Sequence, residues 1–251
     1  MTYCLAMRLH EGLVFLADTR TNAGVDNIGT YRKLHVLHQA PDRIFVLESA
    51  GNLATTQEVL DRVARDLRTP GDHDSLATVQ HLFEAALYVG RLNVEIAATH
   101  RPSLSAIGAD GTATFILGGQ IAGEPPQLFL VYPEGNYIHV SDELPFLQIG
   151  ESKYGKFMLE LGVRAHVDLQ SAVKVALSSM LSTARANLSV GPPYEGAIYR
   201  DGAFELEAFR FRQDSDFLHQ VEHVWVDYLL QAVSNLPPLP EDVFVARPSS
   251  T

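Results

Sequence analysis

The chain begins Met1-Thr2-Tyr3-Cys4-Leu5-Ala6-Met7-Arg8-Leu9, turns through His10-Glu11-Gly12, and resumes as Leu13-Val14-Phe15-Leu16-Ala17 before Asp18-Thr19-Arg20-Thr21-Asn22-Ala23-Gly24. Two short apolar runs across a Gly-containing turn read as a β-hairpin. The small polar residues after Ala17 take the chain out of the sheet. Threonine is small enough for the initiator Met before it to be removed, so Thr2 is the expected first residue of the working protein. No basic segment leads the first apolar run, and Arg8 and His10 cut it short, so the stretch does not have the form of a secretion signal. A terminal Thr carries an amine and a hydroxyl on adjacent carbons and here enters a strand at once.

Outward from that hairpin, residues 30–37 predict a strand carrying Lys33, and 44–47 a fourth that ends in Ser49-Ala50-Gly51-Asn52. Four strands in quick succession predict an antiparallel sheet. Thr55-Thr56-Gln57-Glu58 has capping-box spacing, and Leu60, Val63, Ala64 and Leu67 form one face of a helix stopped by Thr69-Pro70-Gly71. Asp74 or Ser75 is the predicted cap of a second helix, with Leu76, Val79, Leu82, Phe83, Ala86 and Leu87 as its apolar face. Strands are then expected at 104–107, 112–117, 127–131 and 137–140, with Asp110-Gly111 as the hairpin turn between the first two. A short helix at 153–161 precedes the clearest one, 168–187, where the i, i+3, i+4 rhythm runs from Leu169 to Ala184. Strands at 198–199 and 204–211 flank Asp201-Gly202, a helix spans 217–235, and the Pro-rich tail at 236–251 reads as extended. Segregated runs of strands and helix pairs predict an α+β fold, two antiparallel sheets packed together with helices outside, as one domain over 1–251.

Composition narrows the function classes. The 251 residues are 46% apolar and 20% charged, and no apolar run is long enough to span a bilayer. A net charge of -11 argues against a nucleic-acid or anionic-membrane surface, because phosphates are repelled. The single Cys4 excludes an internal disulfide and a Cys-rich zinc site. A cytosolic location is expected, and the Asn187-Leu188-Ser189 sequon means nothing without secretion.

An N-terminal Thr is a self-sufficient nucleophile, because its α-amine, with a reference pKa of about 7.7–8.0, can accept the hydroxyl proton. A lysine nearby lowers that amine further, and an aspartate holds the lysine in place. Asp18 and Lys33, at the ends of strands neighbouring the first, can supply the pair. Gly51, just before a helix N-terminus, is a suitable backbone donor to an oxyanion. Taken singly, Asp18 reads as a turn residue and Lys33 as a solvated strand residue.

Together, Thr2, the run Ala17-Asp18-Thr19-Arg20, Lys33-Leu34 and Ser49-Ala50-Gly51 resemble proteasome β-type subunits. Met-Thr-Tyr-Cys at the start, Asp-Thr-Arg-Thr-Asn-Ala-Gly, and Gly-Glu-Ser-Lys-Tyr-Gly-Lys at 150–156 are similar to the bacterial Anbu (ancestral β-subunit) branch. The resemblance covers nearly the whole chain and implies the αββα sandwich of N-terminal nucleophile hydrolases. It implies Thr2 as nucleophile, its amine as base, Lys33 as the cation that tunes the amine, Asp18 as its partner and Gly51 as oxyanion donor. Two elements depart from the proteolytic subunits: Gly150-Glu151-Ser152 stands where they carry Gly-Ser-Gly, and Asn187-Leu188-Ser189-Val190-Gly191 where they carry Asp-x-x-Ser-Gly. Glu151 and Asn187 change the charge around the terminal amine, and Ser152 or Ser189 can stand in for the missing support.

The expected activity is therefore threonine-type hydrolysis of a peptide or amide by acyl transfer, without cofactor or metal, by a ring-like or helical homo-oligomer. The rival readings are a self-assembling scaffold or binding subunit with little peptidase activity, and an amide chemistry on a small conjugate. No substrate or ATPase partner is named by the sequence. His219-Gln220-Val221-Glu222-His223 spells H-x-x-E-H. Both His would share a helix face, but only the Pro-rich tail follows to supply a third ligand, so they read as borders of a buried face of Phe217, Val221, Val224 and Tyr228. His35, His38 and Asp72-His73-Asp74 read as strand edges or solvated turns, and Asp214 and Asp216 as helix capping.

Overall fold

The structure, a computed structural model, describes residues 1–22, 28–69 and 74–240. Ala23-Gly24, Pro70-Gly71, Asp72-His73 and the tail beyond 240 lie outside the described residues. Two units divide the chain, Met1–Gln213 and Asp214–Thr251. In chain order the first contains β1 (Tyr3–Leu9), β2 (Gly12–Asp18), β3 (Arg20–Asn22), β4 (Ile28–Thr30), β5 (Leu34–Ala40), β6 (Arg43–Gly51), α1 (Leu53–Arg68) and α2 (Leu82–Ala106). It continues with β7 (Ala113–Ile121), β8 (Gln127–Val131), β9 (Tyr137–His139), β10 (Phe146–Gly150), α3 (Lys156–Gly162), α4 (Leu169–Ala186), β11 (Tyr194–Arg200) and β12 (Leu206–Phe211). The second contains α5 (Asp216–Ser234).

The strands of the first unit form two antiparallel five-stranded sheets, β10-β1-β2-β11-β12 and β5-β6-β7-β8-β9, with β3-β4 as a separate ribbon. α4 packs on β1 and β2, and α3 on α4; α1 and α2 pack on the strands of the second sheet. This is the expected αββα layering. Both faces of each sheet are thus covered, which is why β2 is buried at every residue and reads as a continuous apolar run instead of an alternating one. On β6 the alternation survives: Phe45 and Leu47 join the core under α1 and α2, whereas Ile44, Val46 and Ala50 join the layer between the sheets. Glu48 shares the parity of that inter-sheet layer. It is fully buried, and neither carboxyl oxygen has a hydrogen-bond partner among the described residues.

Several expectations are corrected. The first four strands do not share a sheet: β1 and β2 lie in one, β5 and β6 in the other. The expected strand at 30–37 is interrupted, and Lys33 lies in the link before β5, facing the first sheet from the second instead of standing beside β1. The link is bent because the Tyr31 amide donates to the Thr19 carbonyl (2.8 Å) and the Ser49 amide to the Lys33 carbonyl (3.0 Å), which leaves the lysine side chain free to turn inward. Asn52, not the Thr55 group, caps α1 by accepting from the Thr55 amide (3.1 Å). α2 starts at Leu82 after His81, and it absorbs most of the segment expected as a strand at 104–107. Asp110-Gly111 makes no hairpin: the Asp110 carboxylate takes the Thr112 amide and hydroxyl (2.9 Å each), an Asx turn from α2 into β7.

The longest sequence periodicity is reproduced closely, with α4 capped by Asp168 and closed at Asn187. In the second unit α5 starts after Ser215, whose hydroxyl accepts from the Leu218 amide. Its expected buried face is not buried: Phe217 is 50% exposed, Val224 44% and Tyr228 65%. No helix among the described residues is long and apolar enough to cross a membrane.

Candidate active site

The start of β1, the end of β2, the end of β10 and the start of β11 meet at one edge of the first sheet. Their register makes this explicit, with Tyr3 opposite Gly150 and Tyr194 opposite Asp18. Glu151, one residue past β10, donates its amide to the Thr2 carbonyl (2.7 Å) and so extends the pairing to Thr2. Gly150 permits this approach: its φ is +84°, and a Cβ there would lie 2.0 Å from the Thr2 carbonyl oxygen.

Asp18 is the hub. Its Oδ1 accepts from the Tyr3 amide (2.9 Å) and from Lys33 Nζ (2.6 Å), and its Oδ2 from the Gly191 amide (3.3 Å). Both members of the ion pair are sequestered, the side chains being 0% and 7% exposed. Lys33 Nζ also donates to the Arg20 carbonyl (2.7 Å). Burial pushes the Asp18 carboxyl above its ordinary value; the Lys33 charge and the two amides pull the other way. We take the pair as charged, because three donors converge on one carboxylate.

Gly51 ends β6 on the facing sheet, with φ +111° and a Cβ that would meet the Thr112 carbonyl oxygen at 2.5 Å. It precedes Asn52, the cap of α1. Its edge of the sandwich is that of Lys33, because the Lys33 carbonyl accepts the Ser49 amide. Cys4 adds a second tie across the layers, its Sγ lying 3.7 Å from the Ser49 carbonyl oxygen. The thiol is held well above its ordinary value by burial and then by Glu48.

The two departures read from the sequence touch each other. Asn187 Nδ2 donates to Glu151 Oε2 (2.9 Å), and Asn187 Oδ1 accepts the Ser189 amide (3.0 Å). Ser189 thus contributes its backbone to this group. Ser152 lies next to Glu151, its amide donating to the Gly150 carbonyl (3.1 Å).

Sequence reasoning missed a supporting layer. Arg20 Nη1 donates to the Leu188 carbonyl (2.8 Å) and Thr19 Oγ1 to the Pro193 carbonyl (2.7 Å), latching the 187–193 segment to the end of β2. Tyr3 reads from the sequence as a strand residue within the opening Met-Thr-Tyr-Cys motif, with no polar role for its hydroxyl. Its hydroxyl bonds Ser179 Oγ of α4 (2.7 Å) and accepts from Gln148 of β10, and Ser179 donates on to the Gly155 carbonyl (2.9 Å). Burial pushes this phenol up to about 12. A buried Tyr directly after Thr2 was the available signal, because a phenol inside a core needs a polar partner.

The H-x-x-E-H residues lie on α5 in the second unit, where His223 Nε2 pairs with Asp227 (3.2 Å). Among the described residues no group of His, Cys, Asp and Glu is arranged to hold a metal ion. His35 is on the edge strand β5, as read, yet its Nε2 is enclosed and has no hydrogen-bond partner among the described residues.

No family model matches the chain, and a comparison with curated proteins gives no match. Solved structures do match. Anbu (ancestral beta-subunit) from Yersinia bercovieri is 41% identical over 95% of this chain and all of its own, with a TM-score of 0.88. An Anbu Gly-1 mutant from Hyphomicrobium sp. strain MC1 is 42% identical over 96% of this chain and all of its own, also at 0.88. The Anbu complex from Pseudomonas aeruginosa, described as a helical assembly, is 38% identical over 96% of this chain and 99% of its own, at 0.90. The chain belongs to the Anbu family of ancestral proteasome-type β-subunits.

Proposed function

We propose that the chain is an N-terminal threonine hydrolase, cleaving an amide bond by acyl transfer to Thr2 once Met1 has been removed. The observation that carries this reading is the sequestered Asp18–Lys33 pair, fastened by the Tyr3 amide to the residue after Thr2. Met1 is 61% exposed, so its peptide bond to Thr2 is open to an aminopeptidase. The freed amine then accepts the hydroxyl proton as Thr2 Oγ1 attacks the carbonyl. Collapse of the tetrahedral intermediate passes that proton to the leaving amine and leaves an ester on Thr2. Water, deprotonated by the same amine, hydrolyses the ester. Lys33 keeps the amine in its neutral form by charge repulsion, and the Gly51 amide supports the oxyanion.

Self-association supports a complementary role as an assembly subunit. The Pseudomonas aeruginosa relative forms a helical assembly, and this chain leaves Phe157 67% and Leu161 63% exposed on α3. We infer that Glu151 and Asn187 temper turnover, since the hydrogen bond between them places a carboxylate and an amide beside the strand end that carries Thr2.

Intact mass spectrometry followed by an epoxyketone, which bonds to both hydroxyl and amine, tests the reading. Loss of Met1 alone and a single adduct on Thr2 are expected, with no adduct in Thr2→Ala. A retained Met1, or labelling that persists in Thr2→Ala, sinks the nucleophile.

A further inference from the structure

A cleft of about 430 Å³ is lined by residues of β11 and β12 and by Arg32 and residues 34–36 at the start of β5, the edge strand of the second sheet. Leu34, Val36, Ala208 and Phe209 give it apolar walls, and its polar side chains are Arg32, His35, Glu195 and Arg210. Glu195 is the buried member, its side chain 12% exposed, and it sits between the two arginines. Neither contact is tight: Arg32 Nε lies 3.3 Å from Oε2 and Arg210 Nη1 3.7 Å from Oε1. A charge-assisted N–H···O bond falls at roughly 2.7–2.9 Å, so Glu195 saturates neither guanidinium. The arginine side chains are 67% and 53% exposed and carry five N–H donors each, by the chemistry of the group.

Two cations around one anion leave a local excess of positive charge, in a chain whose net charge is -11. Its field is felt nearby, because the Arg32 charge adds to burial in holding the His35 imidazole below its ordinary value. Paired guanidiniums above an apolar floor suit a planar anion on an apolar body, and a volume of several hundred Å³ is that of a small-molecule site.

We propose that this cleft is a ligand site for a small carboxylate, its head group taken by Arg32 and Arg210 and its apolar body lying on Leu34, Val36 and Ala208. The site is separate from Thr2 and does not rest on the hydrolase reading, although Arg32 adjoins Lys33 and Glu195 is paired in register with Ala17 beside Asp18.

Calorimetric titration of the full chain, in the assembly state in which it purifies, with 4-phenylbutyrate and its neutral isostere 4-phenylbutanamide tests the proposal. Saturable binding of the carboxylate is expected, with the amide at least tenfold weaker, and binding should be undiminished in Thr2→Ala. Arg210→Ala, on an exposed edge strand, should weaken the carboxylate about tenfold, the loss of one charge-assisted contact. Glu195→Gln should tighten it, because a competing anion is removed. Equal affinity for acid and amide, no saturation with the carboxylate, or indifference to both substitutions overturns the proposal.

Discussion

Asp18 and Glu48 are both carboxylates of the sandwich interior, each 0% exposed, one ending β2 and the other near the end of β6. Asp18 collects Lys33 Nζ and two backbone amides, whereas Glu48 has no hydrogen-bond partner among the described residues. Burial raises both groups, Glu48 well above its ordinary value; the Leu16 backbone opposes that rise without making a hydrogen bond of ordinary geometry to either oxygen. The lesson is that depth does not decide the charge of a buried acid here; the supply of donors does. A carboxylate with donors can hold a lysine, and one without them is pushed toward its neutral form.

Lys33→Ala tests that contrast most severely, because it removes the cation from Asp18 and leaves it closer to the condition of Glu48. Breaking a buried pair from one side costs about 3–5 kcal/mol, read as a lowered denaturant midpoint. Thr2 labelling should slow by about 10²-fold or more, the scale of a lost acid–base contribution. The stability loss should shrink toward acid pH, where the stranded Asp18 takes up a proton. An equal loss at all pH values would mean that Asp18 was never charged. His223→Ala, by contrast, should leave labelling unchanged, and a reversed order of effects would return attention to the H-x-x-E-H segment.

Glu48→Gln is the next largest test and acts in the opposite sense. An acid raised in the folded state binds its proton more tightly there than in the unfolded chain. Its stabilising contribution is complete below the unfolded value of about 4.3 and is lost as pH rises toward the folded value. Across that window the wild type should lose about 1.4 kcal/mol per pH unit relative to Glu48→Gln. Melting curves of the two proteins should therefore diverge as pH rises, with the variant the more stable. Parallel curves would show that Glu48 is ionised and has a partner after all.

Asn187→Asp probes the outer ring of the site on a smaller scale. Asn187 donates to Glu151, and an aspartate cannot. Two facing carboxylates should cost about 1–3 kcal/mol at neutral pH and less in acid, with the change in melting temperature as the readout. A variant that labels faster than wild type would show that the Asn187 amide restrains Thr2.

How much of this was legible follows from the range of the contacts. The β1–β2 hairpin, α4 and the β11–β12 hairpin announce themselves through local signals: a Gly turn, an unbroken helical rhythm with Asp168 as cap, and Asp201-Gly202. β10 escaped because Phe146-Leu147-Gln148-Ile149-Gly150 is a short run behind Leu144-Pro145, yet it pairs with β1 and delivers Glu151 to Thr2. The end of α2 imitated a strand because Leu104-Ser105-Ala106-Ile107 follows Pro102, and the helix tolerates that proline. Thr2, Asp18 and Lys33 could be paired only through the family resemblance, since nothing local says that Lys33 turns inward. Gly191 and Arg20 stand in the motifs quoted from the sequence, but their contacts could not be read there: the first acts through its amide, the second through a carbonyl and a contact to a distant loop.

Tyr3→Phe carries the smallest expected effect and separates placement of Thr2 from its chemistry. The ring stays in the core, but Ser179 and Gln148 lose the hydroxyl they share. Ser179 still donates to the Gly155 carbonyl and so is not stranded, which limits the cost to about 1–2 kcal/mol. The Tyr3 amide keeps its bond to Asp18, because the substitution leaves the backbone intact. If the hydroxyl network only stabilises the fold, labelling of Thr2 should be within about twofold of wild type at temperatures well below melting. If it also fixes the strand end, the rate should fall further while the Asp18–Lys33 pair remains, and Ser179→Ala should reproduce the fall. Labelling rate set against melting temperature for the two variants distinguishes these outcomes, because a purely structural network moves only the second.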